Sequence, residues 1–326
     1  MSMSNNNSEN IKLSFWGVRG SIPSSPDPAE YDSKLLQILK DSQKHTLEDE
    51  QSLKKYIDEL PIEMKRFVGN NTSCVYVFIN NIHIIFDAGS GIRRLGEYFM
   101  KREFGEGHGT AHIFLSHTHW DHIMGFPYFL PAYTSGNDII IYGIHNGLEH
   151  RISNQQEDEY YPVSLSAMGA NIDFAQLRKE ETIDLDGIQI TNKMLNHPGG
   201  SFGYRIDYNN KSVVYATDSE YKNISEDKLN KFIDFFSGAD VLIFDAQFTI
   251  DESIEKENWG HSTSLQGVDF AAQANIKHIL FYHHDPSYSD QKLMTILKDA
   301  IAYKNERYKN KDIKISIARE GLELTL

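Results

Sequence analysis

The chain has 326 residues and a formal net charge of −14, from 32 Lys and Arg against 46 Asp and Glu. That balance argues against a general binder of nucleic acid or of an anionic membrane, whose phosphates attract basic surfaces, and leaves room for one small anionic substrate drawn in by a metal. Hydrophobic content of 40% and charged content of 24% exclude disorder throughout, and the single cysteine, Cys74, excludes an intramolecular disulfide and suits a reducing cytosol.

The opening MSMSNNNSEN is polar and lacks the apolar stretch of a secretory leader. A frayed tail over 1–10 is therefore expected on a cytoplasmic protein, with one domain over 11–326. No apolar run approaches the roughly 20 residues of a membrane-spanning helix. Residues 11–17 read as a strand that ends at Gly17-Val18-Arg19-Gly20. The stretch 24–67 opens with SSPDP and is rich in Lys, Glu, Asp and Gln. It places Leu35, Leu36, Leu39, Leu53, Tyr56, Ile57 and Leu60 at helical spacing. It is predicted to be a helical insert of one or two surface helices, ended by Pro61 and peripheral to any metal site.

Residues 73–79 and 82–87 read as a hairpin that turns at Asn80-Asn81, followed by a helix over 91–101 and a short buried strand over 112–115. Further strands are expected at 139–142, 188–194, 203–208 and 212–216, with Asn209-Asn210 joining the last pair. Then come a helix over 226–236, a buried strand at 241–245, a helix over 265–274 and a buried strand at 278–282. A helix near 291–303 and strands at 313–318 and 322–326 complete the chain. Hairpins with interspersed helices, in two halves, predict an α/β fold of two mixed sheets packed face to face with helices outside.

The sharpest chemical feature is Ser116-His117-Thr118-His119-Trp120-Asp121-His122, directly after the apolar strand 112–115. Imidazole and carboxylate are ligands of zinc and similar divalent ions, and a loop at a strand end can fold several of them inward. His197, Asp218, His261 and the pair His283-His284 share that placement where apolar strands stop. His45, His108, His145 and His150 have no such setting and read as solvated.

His117-Thr118-His119-Trp120-Asp121-His122 resembles the H-x-H-x-D-H signature of the metallo-β-lactamase superfamily, and the resemblance runs through nearly the whole chain after the first strand. Phe86-Asp87-Ala88-Gly89-Ser90-Gly91 looks like the first motif of that family, whose Asp supports the metal loop. His197, Asp218 and His283 fall where its later motifs should. Trp16-Gly17-Val18-Arg19-Gly20-Ser21-Ile22-Pro23, Gly69-Asn70-Asn71-Thr72-Ser73-Cys74 and Gly260-His261-Ser262-Thr263 look like its phosphodiesterase branch. That branch holds tRNase Z, phosphoribosyl cyclic phosphodiesterase and bacterial cyclic-nucleotide phosphodiesterases.

The resemblance implies an αββα four-layer sandwich. It implies that His117, His119 and His197 hold one divalent ion, that Asp121, His122 and His283 hold a second, and that Asp218 bridges them. Zinc is the first expectation, and manganese or iron suit the same donors. His283 is preferred to His284 because the family's ligand takes the first polar position after the strand. The implied reaction is attack on phosphorus by a hydroxide shared between the ions, with Asp121 as a ligand that also orients it. His261 is the implied proton donor to the leaving oxygen, oriented by Asp245. Here Phe244-Asp245-Ala246-Gln247 replaces the family's H-E-A-T, so Asp245 stands for the acidic residue.

The chain departs from tRNase Z in one telling way. The long basic arm of that enzyme lies between the third and fourth motifs, and the stretch from His197 to Asp218 is too short for it. The extra length lies at 24–67 and is not basic. The expected substrate is therefore a small cyclic phosphodiester, with 3′,5′-cyclic nucleotides (cAMP, cGMP) first, and RNA 3′ ends or sugar cyclic phosphates as alternatives. A non-hydrolytic metal-binding or redox module is the rival from another class, and it leaves His261 without a purpose. A homodimer is implied by the branch. Aromatic residues after the metal loop, among them Trp120 and Phe126, offer a surface for a nucleobase, and Arg19 offers a guanidinium to a phosphate oxygen. Core packing for the aromatics and a structural salt bridge for Arg19 are the competing readings.

Overall fold

The structure, a computed structural model, describes residues 10–326. Apart from Asn10, the expected tail over 1–10 lies outside the described residues. The first sheet holds β1 (Lys12–Gly17), β2 (Cys74–Ile79), β3 (Ile82–Phe86), β4 (Thr110–Phe114), β5 (Asp138–Gly143) and β6 (Asn171–Gln176). The last strand of the chain, β14 (Glu323–Thr325), returns to its edge beside β1. Strands β3 to β6 are mutually parallel, and β1 is antiparallel to both of its neighbours.

The second sheet holds β7 (Thr182–Leu185), β8 (Ile188–Met194), β9 (Phe202–Tyr208), β10 (Lys211–Ala216), β11 (Val241–Asp245), β12 (His278–Tyr282) and β13 (Lys314–Ile317). Strands β10 to β13 are parallel, and β9 is antiparallel to both β8 and β10. Hence β8, β10, β11 and β12 all run toward one edge of the sheet. Antiparallel hairpins with parallel neighbours let one sheet carry helices on its outer face while its inner face meets the other sheet.

Helices cover the two outer faces. Helix α4 (Ile92–Phe99) buries Ile92, Leu95 and Phe99 against the first sheet, near α5 (Trp120–Ile123) and α6 (Leu148–Asn154). On the second sheet, α7 (Glu226–Phe236), α9 (Ser264–Gln273) and α10 (Asp290–Arg307) pack over the outer face, with Phe232, Phe236, Phe270 and Ala300 buried. The short helix α8 (Ile250–Glu255) follows β11. This is the αββα sandwich.

Three tyrosines of the second sheet reach across the inner core. Tyr204 donates to Leu115 O (2.7 Å), Tyr282 to Gly17 O (2.8 Å) and Tyr215 to Asp87 Oδ2 (2.7 Å). Phe86 stacks between Tyr204 and Tyr215, at centroid distances of 5.6 and 5.1 Å. Each ring contributes about 1.5–3 kcal/mol through burial, and each buried hydroxyl is satisfied. The bonds also set the register of one sheet's strand ends against the other's.

The insert is helical, as expected, with α1 (Pro28–Ser42), α2 (Glu50–Glu59) and the single turn α3 (Ile62–Lys65). Asp27 caps α1 by accepting from Ala29 N (2.6 Å), with Pro28 at the first position. Pro61 ends α2 and also starts α3. The insert is pinned by Lys34, whose Nζ meets Asp290 Oδ2 and Arg66 O, each at 2.7 Å. Strands β6 and β7 and helices α6 and α8 were not anticipated. Sequences such as NIDFAQ and TIDL at half-exposed sheet edges carry too weak an alternation.

Candidate metal centre

The centre forms where strand ends of both sheets converge. Its hub is Asp87, fully buried just after β3. Its carboxylate accepts from Ser116 N (2.7 Å), Ser116 Oγ (2.8 Å), Tyr215 OH (2.7 Å) and His122 Nδ1 (2.8 Å). A carboxylate can only accept, so His122 carries a proton on Nδ1 and turns Nε2 toward the centre, where burial is outweighed by Asp121, Asp218 and Asp87 and the imidazole is raised well above its ordinary range, so that a cation there would displace the Nε2 proton. Ser116 Oγ donates to Asp87, so the 3.1 Å contact from His117 Nδ1 is a donation to Ser116, which frees Nε2. His197 Nδ1 donates to Gly260 O (2.9 Å), with the same result. Three rings are thus oriented by acceptors behind them.

The ligand-type atoms form four overlapping groups, two of which, His197 with Asp218 and His261, and Asp245 with His261 and His283, include His261. Those of His117, His119 and His197 lie within 4.8 Å of one another, and so do those of Asp121, His122, Asp218 and His283. Asp218 faces both. Its Oδ2 is 3.7 Å from His117 Nε2 and 3.8 Å from His197 Nε2, while its Oδ1 is 3.3 Å from both His122 Nε2 and His283 Nε2. Asp121 Oδ2 lies 3.0 Å from His283 Nε2 and accepts from Ser21 N (2.8 Å). His119 is exposed, so the first group opens to solvent on its side.

Backbone strain collects here. Asp87 (φ 61°), Asp218 (φ 51°) and His283 (φ 59°) all adopt the left-handed region that non-glycine residues avoid. The turn before His261 needs glycine: Gly260 has φ +86°, and a Cβ on it would stand 2.2 Å from His197 Nδ1.

The donors suit a divalent cation. The Nε2 atoms of His117 and His122 are buried without a hydrogen-bond partner, which costs free energy unless a cation meets them. Burial holds His117 well below the ordinary imidazole range and also lowers His119 and His197, which keeps these rings neutral. Burial alone would raise Asp121 and Asp218, but His122 and His283 keep both carboxyls well below the usual range. His283 is pushed up to about 9: burial opposes this, and Asp218 and Asp121 outweigh it. The two carboxylates therefore demand positive charge at this point, and divalent cations answer that demand.

His261 lies beside both groups, its ring centroid 5.1 Å from those of His197 and His283. Its Nδ1 meets Asp245 Oδ2 at 2.8 Å, and Asp245 also accepts from Ser219 N and Gln247 N, each at 3.1 Å. Asp245 is fully buried at the end of β11. The dyad leaves His261 Nε2 free to handle a proton.

Other residues depart from expectation. Arg19 does not reach the centre: its guanidinium is buried and donates to Gly69 O (2.8 Å), Asp285 O (3.1 Å) and Tyr288 O (2.8 Å), bracing loops of the two sheets. Phe126 is 1% exposed in the core beneath α4, so it offers no stacking face. Trp120 is 79% exposed beside His119. His284 is buried away from the donors and contacts Ala318 O through Nε2 (2.9 Å). His145, read as solvated, is buried and donates from Nε2 to Gly200 O (2.8 Å), beside the loop that carries His197. Two residues went unnoticed in the sequence. Arg151 of α6 donates to Thr118 Oγ1 (2.8 Å) between the first two ligand-type histidines, and Glu220 Oε2 accepts from Gly260 N (3.2 Å). An isolated Arg or Glu gives no signal in a single sequence, although Glu220 lies only two positions after Asp218.

The model of the beta-lactamase superfamily domain matches residues 83–284, which span the hub, all the grouped donors and the dyad. The chain belongs to this superfamily. Ribonuclease Z of Picrophilus torridus is 23% identical over 291 residues, covering 75% of this chain and 89% of that protein. In architecture the chain is similar to yeast PDE1, with a TM-score of 0.65 and 13% identity over 97% of this chain and 99% of that one. Human tRNase Z, short form, gives a TM-score of 0.59 and 16% identity over 96% and 98% of the two chains. The superfamily member described here is a metal-dependent hydrolase. Among the described residues, no helix is long and apolar enough to cross a membrane.

Proposed function

We propose that this hydrolase cleaves a small cyclic phosphodiester, a 3′,5′-cyclic nucleotide first, at a centre of two divalent ions with zinc as the leading candidate. The observation that carries the reading is how the chain is spent between His197 and Asp218. Strands β9 and β10 and the turn at Asn209-Asn210 use almost all of it, so no arm is present to grip a large RNA. The charge of −14 points the same way, because tight polyanion binding draws on many cationic contacts.

In this reading His117, His119 and His197 would hold one ion, Asp121, His122 and His283 would hold the other, and Asp218, which faces both groups, would serve both. Bound divalent ions supply a Lewis acid for the phosphoryl oxygens and a low pKa for coordinated water. The chain's own groups do the rest. Asp87, Ser116 and Gly260 O turn the donor nitrogens inward. Asp121, anchored by Ser21 N, sits on the floor of the centre and orients what enters. Doubly protonated His261, its Nδ1–H held by Asp245, passes the Nε2 proton to the departing ester oxygen. Arg151 offers a cation beside His119 for a substrate phosphate.

A second reading, an RNA 3′-end phosphodiesterase, is favoured by the similarity to ribonuclease Z of Picrophilus torridus over 89% of that protein. The test is a substrate panel at fixed metal concentration, with 3′,5′-cAMP, 3′,5′-cGMP, bis(p-nitrophenyl) phosphate and a 3′-extended tRNA transcript. Turnover of cyclic nucleotides far above the transcript is expected. Preference for the transcript would replace the first reading with the second. No turnover of any of them would overturn both phosphodiesterase readings. Homodimerisation and a cytoplasmic location accompany the proposal, and sedimentation analysis checks the first.

A further inference from the structure

The chain has three tryptophans, and they are treated differently. Trp16 packs against Tyr98, with ring centroids 5.4 Å apart, and donates from Nε1 to Ser14 Oγ (3.0 Å). Trp120 and Trp259 are 79% and 62% exposed. Both exposed residues are sequence neighbours of residues that build the centre. Trp120 directly follows His119, and Trp259 directly precedes Gly260, whose carbonyl holds His197. Ile22, 57% exposed, follows Ser21, whose N–H holds Asp121. Exposed apolar side chains thus flank, along the chain, residues that hold the centre, and a large exposed aromatic marks a surface awaiting a partner.

Trp259 has a support that Trp120 lacks. Lys256 Nζ lies 5.7 Å from the Trp259 ring and 4.5 Å from the Phe248 ring. Phe248 in turn packs edge-on against His261, with centroids 5.4 Å apart at 85°. A ring, an ammonium and a second ring therefore lead outward from the proton donor. Lys256 is also 3.7 Å from Asp285 Oδ2, so its charge is partly matched and it serves the rings more than a phosphate.

We propose that Trp259, supported by Lys256, is the platform on which the nucleobase of the substrate stacks. The inference rests on the cyclic-nucleotide reading above and adds the residue that receives the base. The direction follows from the chemistry. The oxygen that His261 protonates belongs to the ribose, so the nucleoside must lie on the His261 side of the centre. Trp259 is on that side, whereas Trp120 is beside His119. Aromatic stacking suits this task because every base presents a π-face, so the platform selects for a base and discriminates weakly between bases.

The test compares Trp259→Ala and Trp259→Phe with wild type on 3′,5′-cAMP and on base-free ribose 3′,5′-cyclic phosphate. Trp259→Ala is expected to raise KM for cAMP by roughly tenfold or more, with kcat changed by less than about threefold. KM for the base-free ester should not move, and Trp259→Phe should recover most of the loss. Equal changes on both esters, or none on cAMP, would overturn the platform. If wild type hydrolyses bis(p-nitrophenyl) phosphate but no cyclic nucleotide, the cyclic-nucleotide reading falls by itself. The platform is then judged by Trp259 fluorescence in a Trp16→Phe/Trp120→Phe background. Quenching by AMP but not by ribose 5-phosphate supports it, and no quenching overturns it.

Discussion

The first sheet delivers its donors in one run, His117 to His122 at the end of β4, whereas the second delivers His197, Asp218 and His283 singly, after β8, β10 and β12. The run is held locally: Asp87 accepts from Ser116 twice and from His122, and Ser116 holds His117. The single residues depend on backbone shape instead. Asp218 and His283 sit at positive φ, and His197 leans on the carbonyl of a glycine 63 positions away. A contiguous motif can therefore be oriented by one buried carboxylate, while dispersed donors need each loop to be set by the fold. The second side should consequently fail through backbone changes at the donors themselves, whereas the strained residue of the first side, Asp87, stands behind its donors.

The largest effect is expected at the residue that joins the sides. Asp218→Ala removes the carboxylate that faces both donor groups and leaves His122 and His283 without it. Elemental analysis should show one or both ions lost per chain, with hydrolysis of bis(p-nitrophenyl) phosphate down by about a thousandfold or more. Full occupancy by both ions in this variant would break the comparison at its centre.

Next in size is His261→Ala. Both ions should stay, and the rate on alkoxide leaving groups should fall about 100- to 10,000-fold. The loss should be much smaller for p-nitrophenolate, which departs without a proton. Equal losses on both substrates would make His261 a structural or binding residue. A smaller effect isolates the backbone argument. Gly260→Ala introduces a Cβ that stands 2.2 Å from His197 Nδ1 at a φ of +86°. Metal affinity should drop by about 10- to 100-fold, as for loss of a partner behind a ligand, with a loss of about 1–3 kcal/mol in stability from the strained backbone. Unchanged affinity would show that the second side is no more dependent on backbone shape than the first.

The smallest effect lies at the opposite end of β12 from His283. Burial lowers His278 from 6.5 to about 4, with Lys314 adding to the shift. A lowered histidine folds in its neutral form, so its contribution is present above pH 6.5 and is lost as pH falls from 6.5 toward 4. With the ring partly exposed, screening leaves about 1 kcal/mol. His278→Gln should flatten the stability profile by that amount between those limits in urea titrations. An unchanged slope would remove His278 from the account.

Legibility in the sequence divides along the same line as the site. The run from His117 to His122 is readable because its members are neighbours behind an apolar strand, and the buried strands β4, β11 and β12 are readable from their apolar runs. The scattered donors are readable as candidates from their place where apolar strands stop, and resemblance supplied their division between two ions, which spacing alone lacks. Arg19 was misread because the carbonyls that consume its guanidinium, on Gly69, Asp285 and Tyr288, are distant in sequence. Phe126 was misread because exposure at a strand-end loop depends on what α4 covers. Arg151 and Trp259 gave no signal, since only the folded chain brings Arg151 to Thr118 and sets Trp259 and Phe248 about the same Lys256.

If the two sides meet to hold two ions, phosphodiester hydrolysis depends on both. Zinc titrated into chelator-treated wild-type protein, with hydrolysis of 3′,5′-cAMP and bis(p-nitrophenyl) phosphate followed together, tests it directly. Activity on both esters should be absent at the start, rise steeply only after the first equivalent, and saturate at two equivalents per chain. Saturation at one equivalent, or activity that survives chelation, would contradict that dependence.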